Sequence, residues 1–254
     1  MEKESVSDSR MLHQVMNMKL LDKFGENQYT TIACPHCNKG IAEAKWDSVN
    51  RYETTSSINE RDEEYWEPEM LDFKYSLNYE CIRCKGIVIS TGEIRYLQIG
   101  GVDYRTGEEE YEDYYEYNPR YFNPTLSLIK IPCKCPDEIK ALLSRSFQIA
   151  FCDHSAAANR LRVALESFTK IHLSGDDLKG SLHAKLVILE EKLGEASILS
   201  KAIKFIGNQG SHNDDDVPEY LLAFAYQAFE QMLIDLYGER KATTYELAKL
   251  FEKK

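Results

Sequence analysis

The chain of 254 residues carries 31 Lys and Arg against 42 Asp and Glu, a formal net charge of −11, with 43% hydrophobic residues and seven cysteines. No apolar run approaches the roughly 18 residues that a membrane-spanning helix requires, and the opening residues lack a basic segment followed by an apolar one, so neither a membrane protein nor a secretory signal is expected. The acidic total argues against sequence-independent capture of duplex DNA, which depends on many cation-to-phosphate contacts.

In chain order, the first element is an apolar cluster between Met11 and Leu21 that suits a short amphipathic helix. From Tyr29 to Ile131 the pattern changes to short apolar or aromatic runs separated by polar stretches. Residues 30–33, 73–79, 86–90 and 94–99 read as strands. Two acidic stretches, 60–69 and 107–117, read as solvated loops, or as a docking surface where tyrosines alternate with glutamates. Pro119, Pro124, Pro132 and Pro136 then punctuate the chain, which places a domain boundary near residue 135. The charge divides there too, with 24 acidic and 16 basic side chains in residues 1–135 and 18 and 15 in residues 136–254.

Beyond the boundary the period is helical. Pro136-Asp-Glu is a favourable first turn for a helix reaching Cys152, because the proline lacks only an N–H that would be unpaired and the acids face the positive helix end. Further helices are expected over 153–173, 177–193, 195–206, 217–237 and 243–252. Glycines, Asn208, Ser211 and His212 fall together after Ile206, where they are expected to end the fourth of the helices in this half.

Two Cys-x2-Cys turns, Cys34-Pro-His-Cys37 and Cys81-Ile-Arg-Cys84, supply four thiols of the kind that hold a tetrahedral structural zinc ion. Each is followed closely by a glycine, and 43 residues separate them, longer than a compact ribbon needs. A redox dithiol would want one such motif at a helix start after a strand, and disulfides would want an oxidising compartment. His36 reads as a turn residue. Cys133 and Cys135, one residue apart, place their thiols about 7 Å apart on an extended chain, too far to share an ion without a bend. Cys152 reads as a core residue.

The runs Ala156-Ala-Ala-Asn-Arg-Leu-Arg-Val-Ala-Leu-Glu166 and Ala202-Ile-Lys-Phe-Ile-Gly-Asn-Gln-Gly-Ser-His212 resemble the two signature segments of domain-of-unknown-function family 4145. That family belongs to the HEPN superfamily (higher eukaryotes and prokaryotes nucleotide-binding), and the resemblance covers about residues 120–240. It implies a mainly α fold, a HEPN-like four-helix up-and-down bundle in 136–254, often dimeric, here preceded by a small β module like a zinc ribbon in 1–135. Active HEPN ribonucleases carry an Arg-x4-6-His motif. Its histidine moves protons at the ribose hydroxyl or leaving oxygen, and its arginine steadies the phosphorane charge. By motif position His212 is the histidine, but Phe205, Ile206 and Gly207 stand where the arginine is expected.

The site set carried over is therefore His212, Asn208 and Lys204, with Arg162 or Arg160 as the substitute cation and Glu166 as the i, i+4 partner of Arg162. The implied function is a HEPN-like RNA- or nucleotide-binding protein, regulatory or defence-related in a bacterium. The alternative is a metal-independent endoribonuclease using His212 at a dimer interface. A structural zinc ion on Cys34, Cys37, Cys81 and Cys84, a homodimer, a protein partner at the acidic stretches and a cytoplasmic location complete the expectations.

Overall fold

The computed structural model describes residues 21, 23–26, 31–102, 105–107, 109–194, 196–212 and 216–238. The helices expected at 11–21 and 243–252 lie almost wholly outside this set. The chain divides into two compact units, Met1–Leu126 and Ser127–Lys254.

The first unit is one antiparallel sheet. Strands β1 (Phe24–Gly25), β2 (Thr31–Ala33), β3 (Ile41–Glu53), β4 (Asp72–Cys81), β5 (Ile87–Val102) and β6 (Glu109–Asn123) lie in the order β1-β6-β5-β4-β3-β2. Period-two alternation drives it. On β4, Tyr75, Leu77, Tyr79 and Cys81 are buried, and on β5 the buried residues are Val88, Ser90, Ile94 and Tyr96. Phe24 stacks on Tyr117 with ring centroids 5.7 Å apart, and Trp46 and Tyr75 meet the same ring edge-on. Arg51 bonds the Tyr117 hydroxyl at 2.7 Å, lies 4.5 Å above the Tyr115 ring and ion-pairs with Glu26. Pro119 cannot donate to a ladder, and the register slips there between Thr91 and Gly92. Gly92 is required at that slip, since a Cβ would lie 2.2 Å from the Asn118 carbonyl oxygen.

The second unit is helical. After the short α1 (Thr55–Glu60) of the sheet unit, it contributes α2 (Asp137–Ile149), α3 (His154–His172), α4 (Leu182–Leu193), α5 (Ala196–His212) and α6 (Glu219–Tyr237). Asp137 and Glu138 occupy the first turn of α2, and the Asp153 carboxylate caps α3 by accepting the Ala156 N–H at 2.7 Å. The core of this unit is Ile139, Leu143, Phe147, Leu161, Leu165, Phe168, Leu222, Phe229 and Leu233. Inside it, the buried Ser146 hydroxyl bonds the Tyr226 hydroxyl at 2.7 Å and the Ala157 carbonyl at 2.8 Å. No helix among the described residues is long and apolar enough to cross a membrane.

These findings correct the expected fold class. The protein is not a mainly α four-helix up-and-down bundle with a small β module: a six-stranded sheet, four of whose strands run for 10 to 16 residues, fills the first unit, and six α-helices are present among the described residues. The acidic stretch 107–117 misled because its charge reads as loop. Most of it is β6, where Tyr115 and Tyr117 turn inward, alternating with Tyr114 and Glu116. Tyrosine favours a strand, and one polar face costs a half-exposed sheet little. The glycines after Ile206 do not end a helix, for α5 continues through Gly207 and Gly210 to His212.

Candidate metal centre and helical signature site

The two Cys-x2-Cys turns are hairpin tips of the sheet. The first joins β2 to β3 and the second joins β4 to β5. Because Ala42 pairs with Cys81, the beginning of β3 and the end of β4 are neighbours, and both turns come to one end of the sheet. The long spacing between them is the length of β3, α1 and β4 running out and back.

The turns repeat one geometry. Cys34 N–H donates to Gly40 O and Asn38 N–H to Cys34 O, at 2.9 and 3.0 Å; Cys81 N–H donates to Gly86 O and Lys85 N–H to Cys81 O at the same two distances. Asn38 and Lys85 both take a positive φ, 51° and 60°. Ile82 N–H donates to Ile41 O at 3.0 Å and locks one turn to the other. Gly40 is needed because a Cβ there would lie 2.7 Å from the Cys81 sulfur.

All four sulfurs lie within 4.8 Å of one another, with Cys34 to Cys84 at 3.7 Å and Cys37 to Cys81 at 3.9 Å. A tetrahedron with metal–sulfur bonds of about 2.3 Å has edges of about 3.8 Å, so the cage has the size of a tetrathiolate metal site. The donors fit the same conclusion. Burial pushes the Cys34 thiol up to about 12, while the Lys39 amide leads the contacts that bring Cys37 down to about 6. Four adjacent thiols ionise together only around a cation. His36 is not a ligand: its Nε2 meets the Ile87 carbonyl at 2.8 Å and its ring packs on Gly86. Among the described residues, Cys133 and Cys135 join no such group. Cys135 is buried and its thiol meets the Pro136 carbonyl.

In the helical unit the two signature runs lie on α3 and α5, which pack antiparallel. A Cβ on Gly207 would lie 2.6 Å from Arg162 Cβ and 3.0 Å from Ala158 O; on Gly210 it would lie 2.3 Å from Ser155 O. The glycines therefore let two backbones touch, and no arginine could occupy position 207 without forcing them apart. Of the other two positions, Ile206 is buried and Phe205 is 64% exposed.

Arg162 forms the i, i+4 ion pair with Glu166 at 2.5 Å, and its Nε bonds Asn159 Oδ1 at 3.3 Å. Asn159 belongs to the quoted signature, but nothing in its spacing singles it out. Arg160 is exposed on α3. Lys204 and Asn208 are half-buried, one turn apart on α5, and His212 ends that helix a turn later. The side chains of 211 and 212 lie outside the described set. Since Gly210 sits opposite Ser155, the backbone at 212 lies at the start of α3, about two turns or 10 Å along the axis from Arg162. The structure thus gathers Arg162, Glu166 and Asn159 beside Gly207, and sets His212 at the other end of the shared groove.

The chain is accordingly a two-part protein, a sheet unit closed by a four-thiol cluster and a helical unit built around a glycine-mediated helix pair. Residues 144–253 match a family model described as a domain of unknown function, DUF4145, and residues 22–122 match another, DUF8608. The first match bears out the resemblance of the helical segments to family 4145, and the second spans all four clustered cysteines. No curated protein and no solved structure matches the chain.

Proposed function

We propose that this chain is a HEPN-type RNA- or nucleotide-binding protein whose sheet unit is stapled by a structural zinc ion. The observation that carries the reading is the touching of α3 and α5 at Gly207 and Gly210, which lines up Arg162, Glu166, Lys204 and Asn208 along one pair of helices. A guanidinium held by a carboxylate is a pre-aimed phosphate ligand, and the amides of Asn159, which accepts from Arg162 Nε, and of half-buried Asn208 on the neighbouring helix suit a base or ribose edge. Zinc supplies a cross-link between the two hairpin tips when bound to Cys34, Cys37, Cys81 and Cys84. Free thiols in this number suit a cytoplasmic location. The regulatory or defence role in a bacterium follows from the HEPN resemblance.

Binding without cleavage is favoured over catalysis, because Arg162 turns towards Glu166 and away from the end of α5 that carries His212. A ribonuclease would need a cation near His212 from a second protomer. Titration of labelled single-stranded RNA and of nucleotides, wild type beside Arg162→Ala and Asn208→Ala, tests binding. Loss of affinity in both variants is expected, and equal affinity in all three proteins refutes the site. Incubation of RNA without added magnesium, wild type beside His212→Ala, tests cleavage: a cutting pattern that His212→Ala abolishes would replace the binding reading with the endoribonuclease.

A further inference from the structure

The two cysteine turns bring together a second group of side chains. Residues 34–40 and 81–86 contain Lys39, Arg83 and Lys85 and no carboxylate, in a unit otherwise dominated by acids. The turns interleave: a Cβ on Gly40 would lie 3.0 Å from Arg83 Cβ, and Gly86 carries the His36 ring. Lys39 and Arg83 thus stand at one tip. Both are exposed and neither has an acidic partner among the described residues, whereas Lys85 is shared with Glu80 at 3.1 Å. Between the cations Ile82 is 53% exposed at the outside of its turn, and Ile87 follows at 44%. A tip that mixes free cations with uncovered apolar surface is not explained by stability, since the isoleucines gain nothing from water.

We infer that this tip is a docking surface for single-stranded nucleic acid, with Lys39 and Arg83 on phosphates and Ile82 and His36 against unstacked bases. The inference rests on the RNA-binding reading and adds a second contact to it, within the sheet unit. Charge complementarity selects the partner: Lys39, Arg83 and Lys85 offset the double negative charge of a zinc tetrathiolate in a unit otherwise dominated by acids, so within that unit the tip is where a polyanion meets least repulsion. The number of cations selects a single strand. Two phosphate contacts suit a short strand whose bases also meet an apolar or imidazole surface, and duplex capture uses more. The geometry also orders the tip in advance, because the cysteine cage and the Ile82 to Ile41 hydrogen bond fix both turns.

The test uses the zinc-loaded full chain and fluorescein-labelled oligo(U) and oligo(dT) of about a dozen nucleotides, a length that spans one such surface. Wild type should bind with a log–log salt slope to which the tip contributes about −1.4, some −0.7 per contact. Lys39→Gln/Arg83→Gln should bind at least about tenfold more weakly with the slope reduced by about 1.4. Zinc content is measured on every sample. If the double variant loses zinc, Ile82→Ser decides, with weakening of about threefold or more expected. Unchanged affinity in the zinc-retaining double variant, or in Ile82→Ser, overturns the inference. So does equal displacement of the probe by poly-glutamate, which would assign the tip to an acidic protein segment. Binding abolished by Arg162→Ala but untouched at the tip overturns this inference and leaves the RNA reading standing; no binding to any probe overturns both. Oligo(U) against oligo(dT) tells RNA from DNA as the source.

Discussion

Gly210 in α5 rests on the carbonyl oxygen of Ser155 in α3, so closely that a methyl carbon at position 210 would lie 2.3 Å from it. The obstacle is backbone, which cannot rotate away, so one of the two helices must move. Alanine is the better helix former by about 1 kcal/mol, but overpacking a closed contact costs about 1–3 kcal/mol and here involves a rigid atom. Gly210→Ala is therefore expected to lower the urea midpoint of the helical unit with the m-value unchanged. Gly101→Ala, with no neighbour within 4 Å, should shift stability by less than about 0.5 kcal/mol. Equal stability of both variants would contradict the close approach.

The cysteine cage makes a second prediction. Metal analysis of purified protein should give one zinc per chain, falling well below one for Cys34→Ser or Cys81→Ser and staying at one for Cys133→Ser. A structural zinc site supplies on the order of 10 kcal/mol to domains whose net stability is about 5–15 kcal/mol. Chelation should thus unfold the sheet unit while the helical unit keeps its far-ultraviolet signal. A sheet unit that keeps its thermal transition after metal removal would show that the thiols are not a staple.

Much of the site was legible before the fold. Cys-x2-Cys spacing is a local signature, set by one tight turn, and all four cysteines meet. The signature runs on α3 and α5 were readable for the same reason. The hydrophobic period likewise gave α3 and α6 to within two residues and α2 with an overrun of three at its end. The sheet was understated because its pairings are long-range. Nothing local at Glu109–Asn123 says that the strand pairs along its whole length with Ile87–Val102, and its carboxylates mimic a loop. Gly207 and Gly210 were misjudged because a glycine that ends a helix and one that admits a neighbouring helix look alike until the neighbour is known.

Glu230 gives a pH dependence. Its carboxylate accepts the Lys130 N–H at 2.8 Å, and burial outweighs that bond and raises its pKa above the ordinary carboxylate value. A raised folded pKa means that the group favours folding when protonated, so its contribution is complete below the unfolded pKa of about 4.3 and is lost as pH rises through the folded pKa. Glu230→Gln keeps an acceptor for Lys130 and removes the charge. Its stability relative to wild type should be higher at pH 7 than at pH 4, read from paired urea titrations. A difference that is flat or reversed with pH would refute the buried-charge account.

The homodimer that the family resemblance implies makes the final prediction. Ile198 and Phe205, seven residues apart on one stripe of α5, are 56% and 64% exposed, and Tyr220 and Phe224, four apart on α6, are 69% and 47% exposed. The α6 stripe continues through Gln227 and Gln231, also exposed, and Lys201 on α5 is already paired with Glu190. A two-fold interface sets each patch against its own copy, so like charges near the axis repel. On a chain of net charge −11, a stripe with no free charge among its described residues and with three aromatic anchors is where two copies would meet at least cost. Light scattering on eluted protein should give twice 29.3 kDa for wild type and the single-chain mass for Phe205→Glu/Phe224→Glu, with helix content unchanged. These side chains are exposed in the single chain, so the substitutions disturb no core contact there. A wild type of single-chain mass at tens of micromolar, far above the dissociation constants usual for standard interfaces, would rule the homodimer out and with it a composite site that borrows a cation for His212 from a second copy.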